Sequence, residues 1–297
     1  MKGVKEHRCG YVAIIGRPNV GKSTLLNSLL GQKLSITSHK PQTTRAAITG
    51  IVTRPHAQLI LIDTPGFQTH FINTLNRRMS RALTQSLAEA DAILLVVEAL
   101  KLRPEDRRLV ELLPPGKPVL AAINKMDRVA DRKQLLPFIR QLAEQREFAE
   151  IVPISATKAK GLDELMNATE KYLPRRDFLY DADEITEASE RFLAAELIRE
   201  KIFRQLGDEL PYGSTVVIED FSERQGLRRI HASIIVGKES HKGMVVGVGG
   251  KRLKEIASQA RRDMEKLFGG KVFLEIWVKA KPGWIDDERF LKQISHA

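Results

Sequence analysis

The sequence predicts an α/β protein: an open, mostly parallel, doubly wound sheet with helices on both faces, followed by a smaller α+β domain. Three observations carry this. Short runs apolar on both alternating faces (11–15, 58–62, 92–97, 118–123 and 151–154) are separated by helical stretches, and strands buried on both faces belong to parallel sheets. A polar stretch, 174–186, holds Pro174, Arg175, Arg176, Asp177, Asp181, Asp183 and Glu184, which reads as a boundary. Beyond it the pattern changes to a long helix, two alternating strands, a glycine-rich turn, a striped helix and a final strand. The expected division is 1–173, a linker at 174–186, and 187–297.

At 297 residues, two domains can each enclose a core. No apolar run reaches the length of a membrane span, and the first ten residues lack the apolar centre of a signal peptide. The single cysteine, Cys9, rules out an internal disulfide and suits a reducing cytoplasm. The seven histidines are scattered and form no metal set. Net charge is +11, from 48 Lys+Arg against 37 Asp+Glu. Such an excess favours a polyanionic partner without locating it.

In chain order, the first strand runs into Gly16-Arg17-Pro18-Asn19-Val20-Gly21-Lys22-Ser23, which has the spacing G-x-x-x-x-G-K-[ST]. Thr24 begins a stretch with Leu25, Leu26, Leu29 and Leu30 at helical spacing, stopped by Gly31. A glycine-rich strand-to-helix turn lets backbone N–H groups and a helix N-terminus face an anion. Lys22 would then reach the β- and γ-phosphates, and the Ser23 hydroxyl would ligate Mg²⁺. The segment 35–44 reads as a loop, and 48–53 and 58–62 as strands. The second of these delivers Asp63-Thr64-Pro65-Gly66. Asp63, at a strand end, can hold Mg²⁺ through water, and the Gly66 amide can meet a γ-phosphate. The stretch 71–88 reads as a polar helix, 92–97 as a buried strand and 104–113 as a helix. The strand at 118–123 leads to Asn124-Lys125-Met126-Asp127. The strand at 151–154 leads to Ser155-Ala156-Thr157, and 162–172 closes the domain as a helix.

All these motifs follow strands, where open α/β sheets bind ligands. A carboxylate at Asp127 can accept from both N1–H and the exocyclic amine of guanine, a donor pair adenine lacks. Asn124 and Lys125 would brace the loop and cover the ring. The Ser155 and Ala156 backbone would meet the guanine oxygen. The ligands expected are therefore GTP or GDP with Mg²⁺.

This set resembles the translation-factor-related GTPases, and Pro41-Gln42-Thr43-Thr44-Arg45 resembles the first switch segment of the Era family. The resemblance implies that a threonine of this pair ligates Mg²⁺ and senses the γ-phosphate; Thr44 is favoured and Thr43 stays open. Where Ras-like proteins carry a water-orienting Gln, this chain has Phe67, which cannot polarise water. Slow hydrolysis of GTP by water is implied, with Lys22, Thr44, Gly66 and Asn19 as the catalytic set. By resemblance, Asn19 helps hold K⁺ beside the phosphates.

The second domain starts with a helix over 187–206, on which Ala194, Leu197, Ile198 and Ile202 share a face. Strands follow at 214–219 and 228–236. Then come Gly247, Val248, Gly249, Gly250, Lys251, Arg252 and Lys254, a helix with an apolar stripe, and a strand at 272–278. The order resembles a type II KH domain, whose GxxG loop clamps single-stranded RNA backbone. The middle pair Val248-Gly249 departs from the basic residue usual there, which implies either weaker RNA contact at the loop or a contact taken over by Lys251. From 238 to 281 there are 11 Lys+Arg against 5 Asp+Glu, the local clustering that the whole chain lacks. The segment 278–288 also resembles the Era C-terminal signature.

The resemblance spans nearly the whole chain. It implies a monomeric GTP-hydrolysing switch that binds small-subunit ribosomal RNA, not DNA, and assists small ribosomal subunit assembly in the cytoplasm. Two rival readings are a non-catalytic GTP-bound RNA-binding module and a regulator resting peripherally on the inner membrane face. No amphipathic helix with exposed aromatics supports the latter.

Overall fold

A computed structural model describes residues 7–38, 40, 43–67, 73–207 and 209–295. Pro41 and Gln42 of the switch segment, and the start of the helix expected from residue 71, lie outside the described residues. The chain forms two compact units. The first comprises Met1–Ser35, Thr44–His70 and Met79–Glu187. The second comprises Ile36–Thr43, Phe71–Arg78 and Ala188–Ala297.

The first unit is built on β1 (Arg8–Ile15), β2 (Ile48–Thr53), β3 (Ala57–Asp63), β4 (Ala92–Glu98), β5 (Val119–Asn124) and β6 (Glu150–Pro153). The sheet order is β2-β3-β1-β4-β5-β6. All neighbours are parallel except β2, which pairs antiparallel with β3. Every residue of β3, β4 and β5 is buried, as the two-faced apolar runs require. Helices α1 (Lys22–Leu30), α2 (Thr74–Glu89, of which Met79 onward belongs to this unit), α3 (Pro104–Glu111), α4 (Leu135–Ala143) and α5 (Leu162–Glu170) connect the strands. Leu83 and Leu87 of α2, Leu109 of α3, and Phe138 and Leu142 of α4 pack on one face with Ala13, Ile15, Leu95 and Ile123. Val12, Ile14, Leu94 and Val96 point the other way and are equally buried, with α1 packed against β2 and β3. Helix α4 was not expected, because the polar run ahead of it masks its start. It carries its apolar residues at 135, 138, 139 and 142.

The segment expected to be a linker is tied along the first unit. Arg176 donates to the Cys9 carbonyl and to Asp91 (2.8 and 2.9 Å). Gln58 Oε1 accepts from the amides of Leu179 and Tyr180. Ile51 N–H donates to Ile185 O at 2.8 Å, and Thr186 Oγ1 donates to Thr49 O.

The second unit contains α6 (Glu190–Gln205), β7 (Ser214–Arg224), β8 (Leu227–Val236), α7 (Glu239–Val246), α8 (Lys251–Phe268), β9 (Lys271–Ala280) and α9 (Glu288–Ser295). Its sheet order is β7-β8-β9, with β7 antiparallel and β9 parallel to β8. Gln225 and Gly226 both have positive φ (53° and 73°), matching a two-residue hairpin turn. The core joins Leu197, Ile198 and Ile202 of α6 to Ile256, Ala260 and Met264 of α8 across Ile230, Ala232 and Ile234. Helices α7 and α9 were not expected: α7 is too short and glycine-broken to show a period, and α9 follows what reads as a tail. Within this unit, 36–43 is fastened to α6. Glu200 Oε1 accepts from Thr37 N–H, Lys40 Nζ donates to Leu206 O, and Arg199 donates to Thr43 O.

Candidate functional site

The phosphate loop follows β1, beside the point where the strand order reverses. Helix α1 begins at Lys22. Its N-cap is Gly21, with no side-chain cap and no acidic residue in the first turn. The first-turn amides, Thr24 among them, are therefore left for an anion. Gly16, Asn19 and Gly21 all have positive φ (156°, 66° and 105°). Lys22 lies over the loop, donating to the carbonyls of Gly16 and Arg17 at 3.1 and 3.2 Å. Burial pushes its ammonium down to about 8, with Asp63 opposing and Arg17 adding to the shift.

The expected Mg²⁺ ligands meet one another. Ser23 Oγ donates to Asp63 Oδ2 at 2.7 Å and lies 3.0 Å from Thr44 Oγ1, which is 3.4 Å from the same carboxylate oxygen. Ser35 Oγ also donates to Asp63 Oδ2 at 2.7 Å. Asp63 Oδ1 is buried without a hydrogen-bond partner, and burial pushes its carboxyl up, Lys22 opposing. A buried carboxylate with one oxygen orphaned and the other facing the Ser23 and Thr44 hydroxyls fits a hydrated divalent cation. Thr43, by contrast, turns its hydroxyl to Lys40 O. Phe67 packs against the core cluster of the first unit, and its N–H donates to Gly16 O at 3.3 Å. A Cβ on Gly66 would stand 3.1 Å from the Pro18 ring, so a side chain there would push the phosphate loop by a few tenths of an ångström. Thr64 Oγ1 and N–H both donate to Ile14 O, fixing the turn that also holds Pro65.

The base-reading motifs are latched to the phosphate loop by Asn124. Its Nδ2 donates to Val20 O at 2.9 Å; its Oδ1 accepts from the amides of Lys125 and Ala156. Lys125 Nζ donates to Asn19 O at 2.7 Å and to Glu98 at 2.9 Å. Ser155 Oγ donates to Asp127 Oδ1 at 2.5 Å, and that bond holds the exposed carboxyl below its usual range. One expectation changes. The Ser155 and Ala156 amides already donate to Lys160 O and Asn124 Oδ1, so a guanine oxygen would share or displace these bonds. Thr157 lies in the single helical turn that follows.

Arg17 was expected to line the nucleotide. Its side chain is instead buried against Glu98 (3.2 Å) and Asp106 (3.1 Å), leaving only its backbone for phosphate. Glu98 thus joins Arg17 of the phosphate loop to Lys125 of the base loop. Burial alone would raise its pKa, but Lys101 and Lys125 hold it down at about 2. Sequence reading missed Ser35, Glu98 and Asp106. A signal existed for Glu98 alone, a charge closing the wholly apolar run of β4. Because its folded pKa is depressed, its stabilisation is complete above about pH 4.5 and is lost as pH falls toward 2. Glu98→Ala should lower unfolding free energy by about 3 kcal/mol at neutral pH and speed GDP release, as read by urea melts and stopped-flow release.

In the second unit, α7 ends at Gly247 and α8 starts at Lys251. Gly247, Gly249 and Gly250 all have positive φ (73°, 58° and 75°). Val248 is 89% exposed at the tip. Lys251, Arg252 and Lys254 are exposed on the first turn of α8, with Arg252 donating to Met244 O. An amide-rich turn between two helices, flanked by cations, is the geometry of a backbone clamp.

The profile of the 50S ribosome-binding GTPase family matches residues 11–125, and a KH domain profile matches 209–285. The GTPase Era of Nitrosomonas eutropha is 51% identical over 98% of both chains, and that of Chromobacterium violaceum 49% identical over 96% of both. This chain belongs to the GTPase Era family. An Aquifex aeolicus Era variant bound to GDP and AlF₄⁻ superposes with a TM-score of 0.94 at 40% identity, covering 98% of this chain and 99% of that one. An Era structure holding MgGDPNP and nucleotides 1506–1542 of 16S ribosomal RNA gives the same score, identity and coverage. The chain is accordingly a GTPase with a KH domain; the non-catalytic reading finds no support in these Era relatives. Among the described residues, no helix is long and apolar enough to cross a membrane.

Proposed function

We propose that this Era-family GTPase binds GTP and Mg²⁺ in the first unit and small-subunit ribosomal RNA in the second, and acts in assembly of the small ribosomal subunit. On this reading 1–173 carries the GTPase, 187–297 the RNA-binding domain, and 174–186 joins them. The observation that carries the nucleotide half is the convergence of Ser23, Thr44 and the Asp63 carboxylate, one oxygen of which has no partner, beside the uncapped start of α1. Ser23 and Thr44 would ligate Mg²⁺ directly and Asp63 through water; the ion neutralises phosphate charge. Lys22 and the loop amides stabilise charge on the transferred phosphoryl group. Asp127 selects guanine. The Era complex with MgGDPNP and 16S ribosomal RNA supports both halves.

Phe67 packs against the core and carries no group that could orient the attacking water. Asn19, held at φ 66°, is proposed to help hold K⁺ against the phosphates. Phosphate release should then be several-fold faster in KCl than in NaCl at equal ionic strength. Equal rates would remove K⁺ from the proposal. For the RNA half, a Cβ on Gly249 meets nothing within 4 Å, and at φ 58° the cost of Gly249→Asp is backbone strain of about 1 kcal/mol, checked by a thermal melt. Its carboxylate would nevertheless repel the backbone of a clamped strand. The expected result is at least tenfold weaker binding of a 16S ribosomal RNA 3′ fragment with GTP affinity unchanged. Unaltered RNA affinity in a folded variant would refute the clamp.

A further inference from the structure

We infer that the outer face of the β7-β8-β9 sheet is a second surface for single-stranded RNA, on which unpaired bases stack against Phe273 and Trp277. The inference rests on the RNA-binding reading of the second unit.

Along β9, Val272, Leu274, Ile276 and Val278 turn into the core, so the alternate residues stand on the opposite face. Two of them are large rings left 46% and 41% exposed, Phe273 and Trp277. His231 of β8 sits between them, its ring 6.3 Å from Phe273 and 5.7 Å from Trp277. The Arg229 guanidinium lies 5.8 Å from the centre of the Phe273 ring. A row of rings left this exposed on one sheet face is a candidate binding face.

The surrounding charge selects the occupant. By strand alternation, Arg224, Arg229 and Lys271 share this face, and among the described residues none has a carboxylate within salt-bridge reach. Of the face's carboxylates, Glu219 is taken by Lys279 and Ser233, and Glu275 lies 3.7 Å from His231. Asp220 is left against three cations. Rings interleaved with unpaired cations suit bases joined by phosphates better than an apolar protein surface. A GxxG loop clamps about four nucleotides, so a longer strand has bases to spare.

Tryptophan fluorescence tests this directly. The chain has two tryptophans. Trp284 is 1% exposed and donates to Gly213 O, so quenching by bases reports Trp277. The full chain, loaded with a non-hydrolysable GTP analogue and Mg²⁺, is titrated with an unstructured 20-nucleotide RNA while anisotropy follows binding. Saturable quenching is expected, still present in Gly249→Asp at higher RNA concentration. Phe273→Ala should weaken binding about 5- to 20-fold without altering GTP affinity, and Trp277→Phe should bind as wild type. Normal RNA binding with silent Trp277 fluorescence and a neutral Phe273→Ala overturns this surface alone. Failure of the wild type to bind RNA overturns both readings. A Trp277-dependent dimer in sedimentation would assign the face to a second copy and overturn it too.

Discussion

Asp127→Asn should bind GTP about 30- to 1000-fold more weakly and gain preference for xanthosine triphosphate. The carboxylate is exposed, with Ser155 Oγ donating to one of its oxygens at 2.5 Å. That bond orients the side chain and holds it ionised, ready to accept two guanine donors. An amide at this position still accepts from Ser155, so the loop keeps its shape. It places an N–H against a guanine donor, leaving that donor unmatched at about 2–4 kcal/mol. Xanthine carries a carbonyl where guanine carries its amine and accepts from the new N–H. Competition of labelled GTP by each nucleotide measures the switch. GTP affinity within threefold of wild type, or wild-type affinity for ATP equal to that for GTP, would end the assignment.

Gly21→Ala should weaken GTP and GDP alike by a comparable factor, about 2–4 kcal/mol. The backbone there is left-handed at φ 105°, and a Cβ would stand 2.4 Å from Asn124 Nδ2. Asn124 cannot step aside without loss, because its amide group bonds Val20, Lys125 and Ala156 at once. One methyl group would loosen the phosphate loop and both base-reading loops at once. Gly31→Ala is the control: φ is 68°, but nothing lies within 4 Å of its Cβ. It should cost about 1 kcal/mol of stability and leave nucleotide binding intact. If both variants bind fluorescent GDP equally well, the latch is not needed.

The nucleotide site was largely legible because its parts act through backbone and through residues at fixed places after strands. Gly16, Gly21, Lys22 and Ser23 are short-range, and Asn124 and Asp127 are three residues apart. The supports were not legible, because they depend on which strands become neighbours. Glu98 reaches Arg17 from 81 residues away and Asp106 from 89, and Ser35 needs β3 beside α1 before it can meet Asp63. Between Thr43 and Thr44 the resemblance favoured Thr44 and left Thr43 open; hydroxyl direction separates them, toward Lys40 O for Thr43 and Ser23 for Thr44. The glycine loop was visible as glycines, but α7 before it was not. Eight residues containing Gly243 and ending at Gly247 show no helical period.

The grouping of 36–43 with α6 bears on the order in which a nascent chain can mature. Ribosomes add about 5–20 residues per second. Thr37, Lys40 and Thr43 emerge early, yet Glu200, Leu206 and Arg199, to which they bond, lie 156–166 residues downstream. For roughly 10–30 s at that pace, the stretch leading into Thr44 exists without the helix that fastens it. The first unit is itself complete only at Glu187, so a nucleotide entering it in the last part of that interval, about 1–4 s before Leu206 is added, would meet Lys22, Ser23 and Asp63 before the approach to Thr44 is anchored. With its first unit made and α6 still to come, the nascent chain would thus be a guanine-nucleotide binder before it is a complete switch.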